Sequence, residues 1–112
     1  MAYDEELAEK VRGVLLVEQG VLDERKMFGG IAFMVKGHMC CGVLKHDLVL
    51  RLGHERATEA LKKAHVRPMD FTGRPMKGYV FIAPAGVRNK SVLHRWIRSA
   101  LAFVDTLPGD SR

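Results

Sequence analysis

Two short segments of the chain carry the residue types from which a binding site could be built. They are residues 26–30 and residues 67–78, and both combine basic side chains, methionines and glycines. Basic side chains that converge in space can bind a phosphate, a carboxylate or an acidic protein surface. The candidate partner- or anion-binding residues are accordingly Lys26, Arg67, Arg74, Lys77, Met69 and Met76.

The same two segments also have a purely structural interpretation. Glycine within a strand marks a bulge, a bend or a close backbone approach. A phosphate-binding loop would need a helix after Gly30, where the pattern predicts a strand. Asp70 could pair with Arg74 or Lys26 and make the second segment an internal latch, so both the latch and the binding surface stay open. The residues of this structural motif are Met27, Phe28, Gly29, Gly30, Asp70, Gly73 and Gly78.

No group of residues in the sequence is typical of a catalytic or metal centre. Because neighbouring side chains of a strand point to opposite faces, we expect Cys40 and Cys41 to be two reduced thiols without a disulfide between them. His38 and Cys40 would share one face, which gives two ligands where a closed zinc site needs four. We therefore expect no enzymatic activity, no metal and no cofactor. A small-molecule or thiol-redox function at Cys40 and Cys41 is an alternative.

Charge is unevenly distributed along the chain. The net charge is +5, yet residues 1–23 carry six acids against two bases, and residues 24–112 carry sixteen bases against seven acids. A basic body favours contact with nucleic acid or an acidic protein, although it also keeps a small protein soluble. The element pattern predicts neither a helix-turn-helix nor an aromatic RNA-binding sheet. Weak electrostatic binding of DNA or RNA is a second alternative, through Arg74 and Lys77 or through Arg88, Lys90, Arg95 and Arg98.

Length and composition are those of one globular domain over residues 1–112. The chain has 112 residues, of which 47% are hydrophobic and 28% are charged. It contains no apolar run of the roughly 18 residues needed to cross a membrane, and its acidic start is unlike a secretory signal. We therefore expect a cytoplasmic protein without a membrane segment.

Hydrophobic periodicity predicts an α+β fold with the element order α-β-β-β-α-β-β-α. Leu7, Val11 and Leu15 recur at helical spacing in the first helix, and Leu93, Ile97 and Leu101 do so in the last. Between them, tight turns join the first three strands, so these strands must form an antiparallel meander. We expect two layers, with a mostly antiparallel five-stranded sheet and the terminal helices on one of its faces. The predicted inner elements are strands at 31–35, 39–44 and 48–52, a helix at 54–64, and strands at 67–71 and 79–83.

Taken together and in this order, several motifs resemble the N-terminal domain of the TfoX/Sxy family. They are residues 25–30, 39–44 and 48–51, the segment 67–78, and the last helix to Trp96 and beyond. The resemblance implies a bacterial protein related to competence regulators that act with a DNA-bound activator, and a fold similar to secretion-chaperone-like domains. We expect a stand-alone copy of this domain, without the C-terminal helical domain of the full-length regulators. The family supplies no established catalytic or ligand site to carry over.

The leading hypothesis is a non-enzymatic regulatory or protein-interaction module that serves as an accessory to transcription. Its expected partners are proteins, such as the transcription machinery or a second copy of this chain.

Overall fold

The computed structural model describes residues 3–19, 22–27, 29–70 and 75–108. This part of the chain contains one antiparallel sheet of six strands. Hydrogen bonding gives the strand order β1-β2-β3-β4-β6-β5. The elements are α1 (Glu5–Gln19), β1 (Asp23–Met27), β2 (Gly30–Val35), β3 (His38–Leu44), β4 (Asp47–Arg51), α2 (His54–Ala60), β5 (Val66–Asp70), β6 (Pro75–Ile82) and α3 (Lys90–Val104), with a 3-10 turn at Pro84–Gly86 before α3. The predicted α+β class and the antiparallel meander are confirmed.

The predicted number of five strands is wrong by one, because β1 has no alternation of apolar and polar residues. Its sequence is Asp-Glu-Arg-Lys-Met, and it pairs with β2 alone at the edge of the sheet. An edge strand of this kind can be charged on both faces, and its charges discourage pairing with other chains. Arg12 of α1 holds β1 through Glu24, with Nε 2.5 Å from Oε2 and Nη2 2.9 Å from Oε1. This bidentate contact lowers the pKa of the Glu24 carboxyl.

All three helices in the described part of the chain lie on one side of the sheet, which we call the helix face. α1 packs on β2 and β3, α3 packs on β3 and β4, and α2 packs against β6. Every second residue of the strands points into this core, including Phe33 of β2, Leu50 of β4 and Ile82 of β6. The prediction that the two terminal helices share a face is therefore confirmed.

The two long helices follow their predicted patterns closely. In α1, the Asp4 carboxylate caps the N-terminus by accepting a hydrogen bond from the N–H of Leu7 at 3.0 Å. In α3, Oδ1 of Asn89 accepts from the N–H groups of Ser91 and Val92, at 2.8 and 3.2 Å. α2 is shorter than predicted, since its helix ends at 60 and turns follow. None of the described helices is long and apolar enough to cross a lipid bilayer.

An irregularity in β3 turns both cysteines toward the helices. Phe33 pairs with Cys41, and the next residue of β2, Met34, pairs with Met39. Cys40 is therefore an extra residue of β3 that has no pairing partner on β2. Side chains on the two sides of a β-bulge do not alternate regularly. Cys40 and Cys41 are both fully buried in the core of the helix face. The prediction that they point to opposite faces is therefore wrong.

The other side of the sheet, which we call the open face, carries a second and much smaller apolar cluster. Val49, Met69 and Phe81 are buried there, and they lie on β4, β5 and β6. Val49 stands between Leu48 and Leu50 of the helix face, so β4 contributes to both clusters by simple alternation. Met39, Leu44 and Tyr79 are half-buried around this cluster.

Candidate interaction surface

The cations predicted from the sequence do not form one cluster. Lys26 lies on β1 and Arg67 lies on β5, which are opposite edges of the sheet. Lys77 lies on β6 and is exposed, as is Lys26. Arg74, together with Phe28 and Gly73 of the structural motif, lies outside the described residues, as do the side chains of Met27 and Asp70. The predicted latch between Asp70 and Arg74 or Lys26 therefore stays a prediction.

Arg67 is engaged in contacts within the sheet. Its Nη2 lies 2.5 Å from Oδ2 of Asp47, and its Cζ lies 4.8 Å from the centroid of the Phe81 ring. Asp47 begins β4 and Phe81 lies on β6, so the guanidinium connects three strands on the open face. A cation over an aromatic ring and beside a carboxylate stabilises this corner of the sheet.

The two sequence segments do meet in space, at an apolar hollow on the open face. This hollow has a volume of about 130 Å³. Gly30 contributes from the first segment, and Met69 and Met76 contribute from the second. The remaining lining residues are Ile31, Ala32, Met39, Gly42, Val43, Leu44 and Val49. The shared feature of the two segments is therefore an apolar surface, to which none of the described cations contributes.

The floor of the hollow is backbone, because two glycines face each other's strands. A Cβ on Gly30 would lie 2.5 Å from the carbonyl oxygen of Val43, and one on Gly42 would lie 2.5 Å from that of Ile31. Real Cβ atoms do not approach a backbone oxygen so closely, so β2 and β3 need glycine at both positions. Gly30 thus lies where two backbones approach closely, as the structural interpretation requires. Gly29 lies in the preceding turn and Gly78 on β6, and both have a positive φ, 77° and 86°.

Methionines form the wall of the hollow, and they differ in exposure. Met69 is 4% exposed, whereas Met76 is 41% exposed and is one of the large apolar side chains on the surface. Met39 of β3 is half-buried and packs against the cluster that contains Met69. Methionine is flexible and polarizable, so it adapts to partners of irregular shape. This wall can therefore reshape around an apolar group that enters the hollow.

Two exposed lysines are sequence neighbours of residues that line the hollow. Lys45 follows Leu44 in sequence and Lys77 follows Met76, and both lysines are exposed. In the described residues no carboxylate lies within ion-pair distance of either lysine. An apolar hollow is complementary to an apolar side chain, and lysines nearby in the chain favour a partner that carries acids.

The two cysteines lie away from this surface, and their surroundings suppress thiolate chemistry. Both side chains are 0% exposed. A hydrogen bond with Cys40 and burial together raise the pKa of the Cys41 thiol. A thiol with a raised pKa in an apolar core is a poor nucleophile. The thiol-redox alternative therefore has no support from the position of these residues.

Among the described residues, no group of three or more His, Cys, Asp or Glu side chains is placed to hold a metal ion. His38, considered above with Cys40, instead donates from Nε2 to the carbonyl oxygen of Pro108 at 2.5 Å.

The candidate residues predicted from the sequence do not include seven of the ten residues that line the hollow: Ile31, Ala32, Met39, Gly42, Val43, Leu44 and Val49. Gly42 was the detectable one, since a glycine inside an apolar strand indicates a close backbone approach. The other six look like ordinary strand residues. That they line one hollow follows only from the register in which Ala32 pairs with Gly42 and Gly42 pairs with Val49.

Residues 15–104 match the model of the TfoX N-terminal domain. No curated protein and no solved structure matches the chain.

Proposed function

We propose that this chain, which belongs to the TfoX N-terminal domain family, is a non-catalytic protein-interaction module that binds its partner through the open face. The observation that carries the proposal is the apolar hollow, with its glycine floor and exposed Met76. Contiguous apolar surface with a polar rim is characteristic of protein-binding sites.

The partner that fits this surface presents one apolar side chain between acidic residues. A cavity of about 150 Å³ can hold a benzene molecule, so the hollow has room for one such side chain. The methionine wall would close around it, and Lys45 and Lys77 would face the flanking acids. Electrostatic attraction of this kind mainly accelerates association, while the buried anchor determines how long the complex lasts.

A regulatory role in transcription is the second part of the proposal. The support for it is family membership, together with a surface suited to an acidic protein. In this view the domain acts by holding a component of the transcription machinery and performs no chemical step. A second copy of the chain is the competing partner.

The proposal is tested by placing a negative charge at the wall of the hollow. Met76→Glu should abolish partner binding, because the carboxylate would occupy the apolar wall and repel an acidic partner. Val17→Glu is the matched control, since Val17 is 80% exposed on α1 and the same charge is introduced. Both variants should keep the unfolding temperature of the wild type within a few degrees, because both positions are exposed.

The measurement is quantitative affinity purification from a lysate of the source organism, with all three proteins as bait. We expect one or more acidic proteins to be recovered by wild type and Val17→Glu and lost with Met76→Glu. Equal recovery with Met76→Glu would remove the hollow from the account. Light scattering at two protein concentrations tests whether the partner is a second copy of the chain. A homodimer formed through the hollow would dissociate in Met76→Glu and persist in wild type and Val17→Glu.

A further inference from the structure

A second concavity, distant from the open face, opens beside α3. This cleft has a volume of about 520 Å³ and lies between the segment after α2, the 3-10 turn and α3. Its polar lining comes from Lys63, His65, Arg95, Trp96 and Ser99. Three of these five side chains can carry a positive charge.

No carboxylate lines the cleft itself, whereas carboxylates line both neighbouring grooves, one of which shares Lys63, Trp96 and Ser99 with it. The groove between α1 and α3 includes Glu9, and the groove between α2 and α3 includes Glu55 and Glu59. The sequence explains the difference, because residues 71–104 contain six bases and no acid. A concave surface lined by one sign of charge concentrates ions of the opposite sign.

The cations of the cleft are available to a ligand. Arg95 is exposed, and within the described part of the chain no ion pair engages Arg95 or His65. Nζ of Lys63 lies 5.4 Å from the centroid of the Trp96 ring, and within the described residues no ion pair engages Lys63. This cation–π contact holds the ammonium over the cleft while leaving its N–H groups able to donate.

The backbone around His65 is held in an uncommon conformation that places its side chain on the cleft wall. His65 has a φ of 70°, and its carbonyl accepts a hydrogen bond from the N–H of Ala83 at 2.8 Å. Non-glycine residues adopt this left-handed region in only a few per cent of cases. A Cβ on Gly86 would lie 2.9 Å from Cβ of His65, so only glycine allows the 3-10 turn to pass this close.

We propose that this cleft binds a phosphate group of a nucleotide. The Arg95 guanidinium can donate two parallel hydrogen bonds to a phosphate, Lys63 adds a point charge, and His65 and Ser99 supply further donors. The volume of the cleft exceeds that of a phosphate, which leaves room for the attached sugar or base beside Trp96. The same chemistry recognises a free nucleotide and a nucleotide within a strand. This inference is independent of the proposed function, because the two surfaces share no lining residue.

Trp96 makes the test direct, because it is the only tryptophan of the chain and it lines the cleft. Its fluorescence would be titrated at low salt with inorganic phosphate, thymidine monophosphate and a short oligothymidylate. We expect saturable changes with the nucleotide probe or the oligonucleotide. Equilibrium dialysis with labelled probe gives the same dissociation constant without relying on the fluorescence of Trp96.

The decisive variant is Arg95→Gln, and Lys62→Gln is its matched control. Both remove one positive charge, but Lys62 pairs with Glu59 and does not line the cleft. Arg95→Gln should weaken binding by about tenfold or more, as loss of a charged hydrogen-bond donor does. Lys62→Gln should change the dissociation constant by no more than about twofold. Lys63→Gln should weaken binding in the same direction as Arg95→Gln.

The outcomes separate the site from general electrostatics and separate the two ligand sources. Weaker binding by Arg95→Gln, with unchanged binding by Lys62→Gln, supports the cleft as the site. Tighter binding of the monophosphate indicates a free nucleotide as the ligand, and tighter binding of the oligonucleotide indicates a strand. A strand would also show a steep fall of affinity with salt, since counterions are released from its phosphates. Equal weakening by Lys62→Gln and Arg95→Gln would overturn the proposal. So would the absence of binding by all three probes, with the native fold confirmed by circular dichroism.

Discussion

The two faces of the sheet are built from different residues. The helix face presents bulky side chains such as Phe33 and Leu50, which three helices cover completely. The open face presents Gly30, Gly42 and Ala32, with methionines along its border. The first face stabilises the fold through burial, while the second sets a shape that an incoming side chain can fill.

The largest change in stability is expected when two neighbouring residues of β4, one on each face, are compared. Leu50→Ala on the helix face should destabilise the protein by about 2–5 kcal/mol, as expected for a fully buried leucine. Val49→Ala on the open face should cost about 1.5 kcal/mol, because two methyl-sized groups are lost from a smaller cluster. Urea unfolding of both variants measures the difference. A larger loss for Val49→Ala would mean that the open face is part of the main core.

A second test concerns the glycine floor of the hollow. Gly42→Ala should destabilise the protein by about 1–3 kcal/mol, because its Cβ would overlap the backbone of β2. The control is Gly13→Ala in α1, where a Cβ would have nothing within 4 Å. That variant should gain about 0.5–1 kcal/mol from helix propensity. If Gly42→Ala were also neutral or stabilising, the close approach of β2 and β3 would be refuted.

The smallest test concerns the charged edge strand, which Arg12 attaches to the helix layer through Glu24. Because the pKa of Glu24 is lowered in the folded state, its contribution is complete above the ordinary value of 4.5 and is lost as pH falls through the folded-state pKa. Glu24→Gln should therefore reduce the free energy of unfolding by up to about 1 kcal/mol near neutral pH. Wild type and variant should converge at acid pH. A stability difference that does not change between neutral and acid pH would contradict this assignment.

Sequence patterns predicted the elements that the helix face requires. Helical spacing around Leu15 and Ile97 and alternation around Phe33 and Leu50 all reflect burial against one core, which leaves a periodic signal. β1 leaves no such signal, because an edge strand of Asp, Glu, Arg and Lys owes its structure to pairing with β2. The bulge at Cys40 is likewise a property of two strands in register, and it reversed the predicted direction of one cysteine.

The candidate sites were predictable only in part. The two segments meet at the hollow, where Gly30, Met69 and Met76 lie together, although the sequence raised their meeting only as a condition. The expected cluster of Lys26 and Arg67 did not form, because strand order places them at opposite edges. The cleft beside α3 combines Lys63 and His65, from the segment after α2, with Arg95 of α3, and only Arg95 lies in the acid-free stretch at 71–104.

The most direct test of the open face as the partner-binding surface is site-specific photo-crosslinking in cells. A photoreactive amino acid would replace Met76 in the wall of the hollow or, as the control, Val17 on α1, and the cross-linked peptides would be identified by mass spectrometry. Our account predicts cross-links from position 76, and not from position 17, to one partner segment with an apolar residue between acids. Cross-links of equal yield at both positions, or from position 17 alone, would contradict it.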